Sequence, residues 1–171
     1  GEAGPGRYVA QLLKNLEKIS TDNDYVVYLK KSNLDSYSPN SPRFKKELAD
    51  FHWYSFSEQI LFPMKLYQSN FDLVHFTQIN VPFFYLRPFV VTIHDLILHE
   101  YSTERGNLSR RLLYRLKKIP YFLIFAKAVY FSRKILVPSQ ATKDDLLKHY
   151  KIDPEKIVVT HESVDHYPSR A

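Results

Sequence analysis

The chain has 171 residues. That length suits one domain of ordinary size, with a core able to bury roughly 70% of the surface its unfolded form exposes, so no metal or disulfide staple is needed. Hydrophobic residues make up 44% and charged residues 25%, which excludes a disordered tail, a collagen and a coiled coil. There is no cysteine; a disulfide framework, a thiolate zinc site and a cysteine nucleophile are excluded, and a reducing cytosol is suited.

Lysine and arginine number 24 against 18 acidic residues, a net charge of +6, and aromatics reach 15%. A basic, aromatic chain points to an anionic partner: nucleic acid, an anionic membrane face or a phosphorylated ligand. The uncharged stretch from Leu73 to Leu86 holds Thr77, Gln78, Asn80 and Pro82, so it is no membrane span. No signal peptide is expected.

The elements follow in order. Gly4-Pro5-Gly6 leads into a helical pattern with Tyr8, Val9, Leu12, Leu13, Leu16 and Ile19 on one face. Tyr25 to Leu29 reads as a buried strand, and Lys30 to Pro42 as a loop rich in Ser, Asn and Pro. Trp53 to Phe56 is a second strand candidate. Ser57 is placed to cap a following turn, and Pro63 to start or kink a helix from Phe62 to Ser69. Asp72 to Phe76 and Phe89 to Ile93 are the third and fourth strands, and the fourth ends at His94-Asp95. Near-continuous apolar runs indicate strands buried on both faces, as in a parallel sheet.

Asn107 to Ser132 is the longest helical stretch, and Pro120 divides it into two expected helices. Ile135 to Pro138 is the fifth strand, Ser139 an N-cap for a helix over Thr142 to Tyr150, Asp153-Pro154 a turn, and Ile157 to Thr160 the sixth strand. Alternation at this spacing implies an α/β, doubly wound, mostly parallel Rossmann-like sheet. Ligands of such sheets bind at the C-terminal ends of the strands.

Three places there could carry chemistry. Gly4-Pro5-Gly6-Arg7 offers backbone N–H groups and a helix dipole to a phosphate, or is simply a tight turn. His94-Asp95 stands at a strand end, where an imidazole can hydrogen-bond a hydroxyl in either protonation state, or cap the strand. His75 lies inside its strand, which favours packing. Arg105, Arg110, Arg111, Arg115, Lys117 and Lys118 crowd a helix able to lie on an anionic bilayer, or to turn a solvated face outward. No histidine spacing suggests a metal site. No serine-hydrolase elbow or Walker loop occurs, and no nucleic-acid-binding motif supports a nucleic-acid partner.

Taken together, several motifs resemble the N-terminal domain of family 4 (group 1) glycosyltransferases of the GT-B fold. They are Gly4-Pro5-Gly6-Arg7-Tyr8 before a helix, Glu58-Gln59 with Pro63, Asp72-Leu73-Val74-His75, Asn80-Val81-Pro82, Val91-Thr92-Ile93-His94-Asp95-Leu96, Pro138-Ser139-Gln140-Ala141-Thr142-Lys143 and Lys156-Ile157-Val158-Val159. The resemblance spans essentially the whole chain, and the mannosyltransferase-type branch that builds polysaccharides looks most alike.

The resemblance implies a retaining transfer of a sugar from a nucleotide-sugar to a glycan or lipid-linked acceptor, with no metal or other cofactor. By motif position, Gly4, Gly6 and Arg7 would approach the donor diphosphate and His94 the transferred sugar. Gln78, Asn80 and Asp95 would line the acceptor side. Residues 1–161 would form the acceptor-side domain, and 162–171 would begin the linker to a nucleotide-sugar-binding domain not contained in this sequence. The family's opening strand, ahead of the glycine loop, is also not contained in it, so strands 25–29 and 72–76 are each expected to face an empty slot. Glu162-Ser163-Val164-Asp165 departs from the usual Asn-Gly-Val-Asp. The isolated chain is expected to be inactive, and its location cytoplasmic or peripheral on the inner face of the membrane. The alternative is a non-catalytic module that binds a phosphorylated or lipid-linked glycan.

Overall fold

The computed structural model describes residues 4–19, 22–52, 55–96 and 108–161. They fall into two compact units, one within Gly1–Asp50 and the other Phe51–Thr160.

In the first unit, helix α1 (Pro5–Leu16) precedes strands β1 (Tyr25–Leu29) and β2 (Phe44–Leu48), which pair in parallel from Tyr25↔Phe44 to Leu29↔Leu48. β2 lies in a stretch that the sequence reading left without an element. Its three charged residues hide it from an apolar-run criterion, yet Phe44 stacks on Tyr25 with ring centroids 4.3 Å apart. Lys46 Nζ donates to the carbonyls of Leu34 and Tyr37 at 2.8 and 2.9 Å. The C-terminal end of α1 is tied down through Glu17, whose carboxylate accepts from Tyr37 Oη at 2.7 Å and from Asn40 Nδ2 at 3.0 Å.

The second unit holds a four-stranded parallel sheet in the order β3 (Val74–Phe76), β4 (Phe89–Thr92), β5 (Ile135–Val137), β6 (Ile157–Val159). Helix α2 (Phe56–Gln68) precedes β3, α3 (Leu108–Phe131) lies between β4 and β5, and α4 (Gln140–His149) between β5 and β6. The core is apolar on both sides of short strands, as the runs implied. Phe89, Val91, Ile93, Ile135 and Val137 are buried, with Phe125, Val129 and Leu146 packed from the helices. Ser139 caps α4 by accepting from Thr142 N at 3.2 Å, and Asp153 accepts from Glu155 N at 2.8 Å in the turn before β6. The α/β fold with parallel sheets is therefore as expected. β1 and β3 are each the terminal strand of their own sheet.

Three expectations need correction. Phe56 begins α2 and ends no strand; Trp53 and Tyr54 lie outside the described residues. The helix starts six residues before Phe62 because Ser55, not Ser57, is the cap: its Oγ accepts from Glu58 N at 3.1 Å. Pro63 sits inside that helix, and Pro120 sits inside α3, which runs as one element. Each proline removes one helical hydrogen bond and crowds the preceding turn, at a cost of about 3 kcal/mol. For α3 the burial of Ile124, Phe125, Ala128 and Val129 beyond the proline offsets it, at ~1.5–3 kcal/mol for each large side chain.

Candidate active site

β3 and β4 are adjacent and parallel, so their C-terminal ends lie side by side. Two functional candidates meet there. His94 follows β4, half-buried, and its Nε2 lies 3.1 Å from the carbonyl oxygen of Thr77, which follows β3. A carbonyl only accepts, so Nε2 is the donor of this bond. The ring is thus oriented by backbone on the neighbouring strand. Behind it, His75 Nε2 lies 2.8 Å from Thr92 Oγ1. Burial, and then the charge of a protonated His94, lower the His75 pKa to about 4. His75 is therefore neutral near pH 7, in keeping with the packing role read from its place in the strand.

The loop from 77 to 88 is held by side chains of two helices, α2 and α3, to which the residues alone gave no role. Asn80 Nδ2 donates to Glu58 Oε1 at 2.6 Å, and Glu58 is buried on α2. Phe83 N donates to Gln59 Oε1 at 2.6 Å. Tyr67 Oη donates to the Phe84 carbonyl at 3.0 Å and accepts from Leu86 N at 2.8 Å. From α3, Lys127, only 5% exposed, donates to the carbonyls of Pro82 and Tyr85, each at 2.7 Å, and to that of Phe83. Burial pushes the Lys127 ammonium down to about 8. Glu58-Gln59 stood out only as a motif of the resemblance. A lysine inside an apolar helical run, Ile124-Phe125-Ala126-Lys127-Ala128-Val129, was the available sign of the other clamp.

Of the expected acceptor-side residues, Asn80 thus spends its amide N–H on Glu58, while its amide oxygen is buried without a hydrogen-bond partner. Gln78 is half-buried with no side-chain hydrogen bond among the described residues, and Asp95 is exposed beside His94. Thr77, Gln78, His94 and Asp95 are brought to one end of the sheet by the β3–β4 pairing. Among the described residues no three His, Asp or Glu side chains gather to hold a metal ion.

The glycine loop belongs to the other unit. Gly4 is the N-cap of α1 with φ 62° and ψ −121°, a backbone region that only glycine enters without strain. Pro5 occupies the first turn, where its missing N–H is harmless. A side chain built on Gly6 would meet nothing within 4 Å, so the backbone there is open to approach. Gly4, Gly6 and Arg7 are all exposed, and no acidic residue stands in the first turn.

No curated protein shows significant similarity to the chain. The profile of Glycosyltransferase Family 4 matches residues 3–167, nearly the whole sequence and both units described above. The order of the motifs, the parallel α/β sheet and this match agree: the chain belongs to glycosyltransferase family 4.

Proposed function

We propose that the chain is the acceptor-side part of a retaining glycosyltransferase. It moves a sugar, mannose by the branch it resembles, from a nucleotide-sugar to a glycan or lipid-linked acceptor in the cytoplasm. The observation that carries this reading is His94: at the end of β4, its ring is oriented by the Thr77 carbonyl at the end of β3, where ligands of parallel sheets bind. In that position His94 hydrogen-bonds a hydroxyl of the transferred sugar. The contact strengthens as charge develops while the bond to phosphate breaks, so it acts mainly on the transition state. The open N-terminus of α1, at Gly4, Gly6 and Arg7, supplies N–H groups and dipole to the donor diphosphate. Gln78, on a loop that Asn80 and Lys127 hold in place, and Asp95, after β4, face the acceptor. No metal or other cofactor takes part in this scheme.

Positioning two substrates supplies much of the catalysis in such a transfer. The chain alone is therefore expected to turn over no sugar, and the chain joined to a nucleotide-sugar-binding domain to transfer it. Chromatographic detection of glycosylated acceptor with the common nucleotide-sugars tests this. Transfer by the isolated chain would contradict the reading. So would a joined protein that binds glycan without transferring sugar to it.

A further inference from the structure

The residues from Thr77 to Asn80 join the end of β3 to Val81, which is fully buried. Most of this short segment is pinned. The Thr77 carbonyl accepts from His94 Nε2 at 3.1 Å, the Ile79 carbonyl accepts from Val81 N at 2.8 Å, and Asn80 Nδ2 donates to Glu58 Oε1 at 2.6 Å. Just beyond it, Phe83 N donates to Gln59 Oε1 at 2.6 Å. Gln78, between the pinned residues, makes no side-chain hydrogen bond among the described residues. A segment this short, held on both sides of Gln78, moves as one piece. Whatever displaces Asn80 displaces the Thr77 carbonyl, and with it the ring that this carbonyl orients.

The two contacts from α2 differ from ordinary packing. Glu58 stands in a first turn fixed by its cap, since its own N donates to Ser55 Oγ at 3.1 Å. A carboxylate only accepts, so Asn80 turns Nδ2 to Glu58 and Oδ1 away. A backbone N–H only donates, so Gln59 turns Oε1 to Phe83 and Nε2 away. The two far ends, Asn80 Oδ1 and Gln59 Nε2, are both buried without a hydrogen-bond partner. A contact kept for stability alone would not leave a buried acceptor and a buried donor unmet, because each loses its hydration without return. Local costs of this kind collect where a geometry is held for function. Lys127 secures the later stretch, at Pro82 and Tyr85, so the stretch next to His94 depends on Glu58 and Gln59.

We propose that Glu58 and Gln59 are positioning residues for the transfer. Touching no substrate themselves, they fix the segment from 77 to 83, and through it they set the His94 ring and the Gln78 amide that meet the transferred sugar and the acceptor glycan. This rests on the transfer reading. One arm of the test is therefore read on the chain alone, without donor or acceptor, so that failure of that reading and failure of this one are told apart.

In imidazole-selective proton–nitrogen NMR of the chain, the His94 Nε2–H signal, assigned by its loss in His94→Gln, should be protected from exchange with water. Glu58→Ala should speed its exchange roughly tenfold and Gln59→Leu several-fold. Glu58→Gln, whose Oε1 still accepts from Asn80, should restore the protection. In the chain joined to a nucleotide-sugar-binding domain, Glu58→Ala should lower kcat/KM for the acceptor roughly tenfold while the donor KM stays within about twofold, and Glu58→Gln should recover most of the loss. Gln59→Leu leaves the Phe83 amide to water at an exposed place, so it keeps the fold and decides the matter where circular dichroism shows that Glu58→Ala does not. Unchanged His94 exchange in the folded variants would overturn the proposal. So would a Glu58→Gln variant as impaired as Glu58→Ala, or a donor KM that rises in step with the loss for the acceptor. A joined wild type that transfers no sugar would overturn the transfer reading, and the exchange arm alone then decides whether Glu58 and Gln59 position His94.

Discussion

Replacing Lys127 by Met keeps the length of the side chain and removes only the ammonium, which makes it a clean probe of the loop clamp. Lys127 donates to three carbonyls, those of Pro82, Phe83 and Tyr85. Its bonds to Pro82 and Tyr85 are buried, and a buried partner left unsatisfied costs ~1–3 kcal/mol. The bond to Phe83 is part-buried, and water can replace much of it. The loss is therefore about 3–6 kcal/mol. Against it stands the cost of keeping the charge out of water. A pKa held down to about 8 corresponds to ~3 kcal/mol, and Met does not carry it. The hydrogen bonds win by a net ~2 kcal/mol. For a chain of this size that lowers Tm by roughly 4–8 °C. Thermal melts by circular dichroism give the total, and hydrogen exchange locates it: the amides of Phe83 and Leu86, which donate to Gln59 and Tyr67, should lose protection first. A melt within ~0.5 kcal/mol of wild type, with protection of those amides unchanged, would refute the clamp.

Three further outcomes follow from the same geometry. Asn80→Asp sets a carboxylate against Glu58 at the 2.6 Å contact now made by the amide. It should destabilise by about 2–3 kcal/mol, and adding Glu58→Gln should restore most of the loss in urea titrations. Gly6→Ala fills open space at the start of α1 and should stabilise by ~0.5–1 kcal/mol while weakening donor binding by calorimetry in the joined enzyme; Gly4→Ala, at φ 62°, should destabilise. His75 has a folded pKa of about 4, below its unfolded value. The unfolded state thus binds more protons between roughly pH 6.5 and pH 4, and stability falls as pH drops through that window, by up to ~3 kcal/mol. His75→Gln should flatten that part of the curve in denaturant melts at stepped pH.

Much of the fold is legible where strands are short apolar runs with turn chemistry on either side. Val74–Phe76, Phe89–Thr92, Ile135–Val137 and Ile157–Val159 all announce themselves this way, because a strand buried on both faces has little room for polar residues. Phe44–Leu48 does not, because its Lys-Lys-Glu is tolerated where side chains reach solvent or backbone acceptors, and only pairing with β1 makes it a strand. Pro120 misled for a related reason. Local rules divide a helix there, and tertiary burial of Phe125 carries it through; Pro63, expected to start or kink a helix, lies inside one. At the site, His94 was readable from its position after Phe-Val-Val-Thr-Ile. The clamps were not, because Glu58, Tyr67 and Lys127 reach the loop from 17 to 45 residues away, and no local pattern encodes such contacts.

The central claim is that His94 acts on the transferred sugar. Steady-state kinetics of His94→Ala in the chain joined to a nucleotide-sugar-binding domain tests it most directly, with donor and acceptor varied separately. A contact strongest in the transition state predicts a fall in kcat of at least tenfold with the donor KM changed much less. A variant with wild-type kcat, or one that loses only donor affinity, would contradict the account and leave His94 as a residue that merely ties β4 to the Thr77 carbonyl.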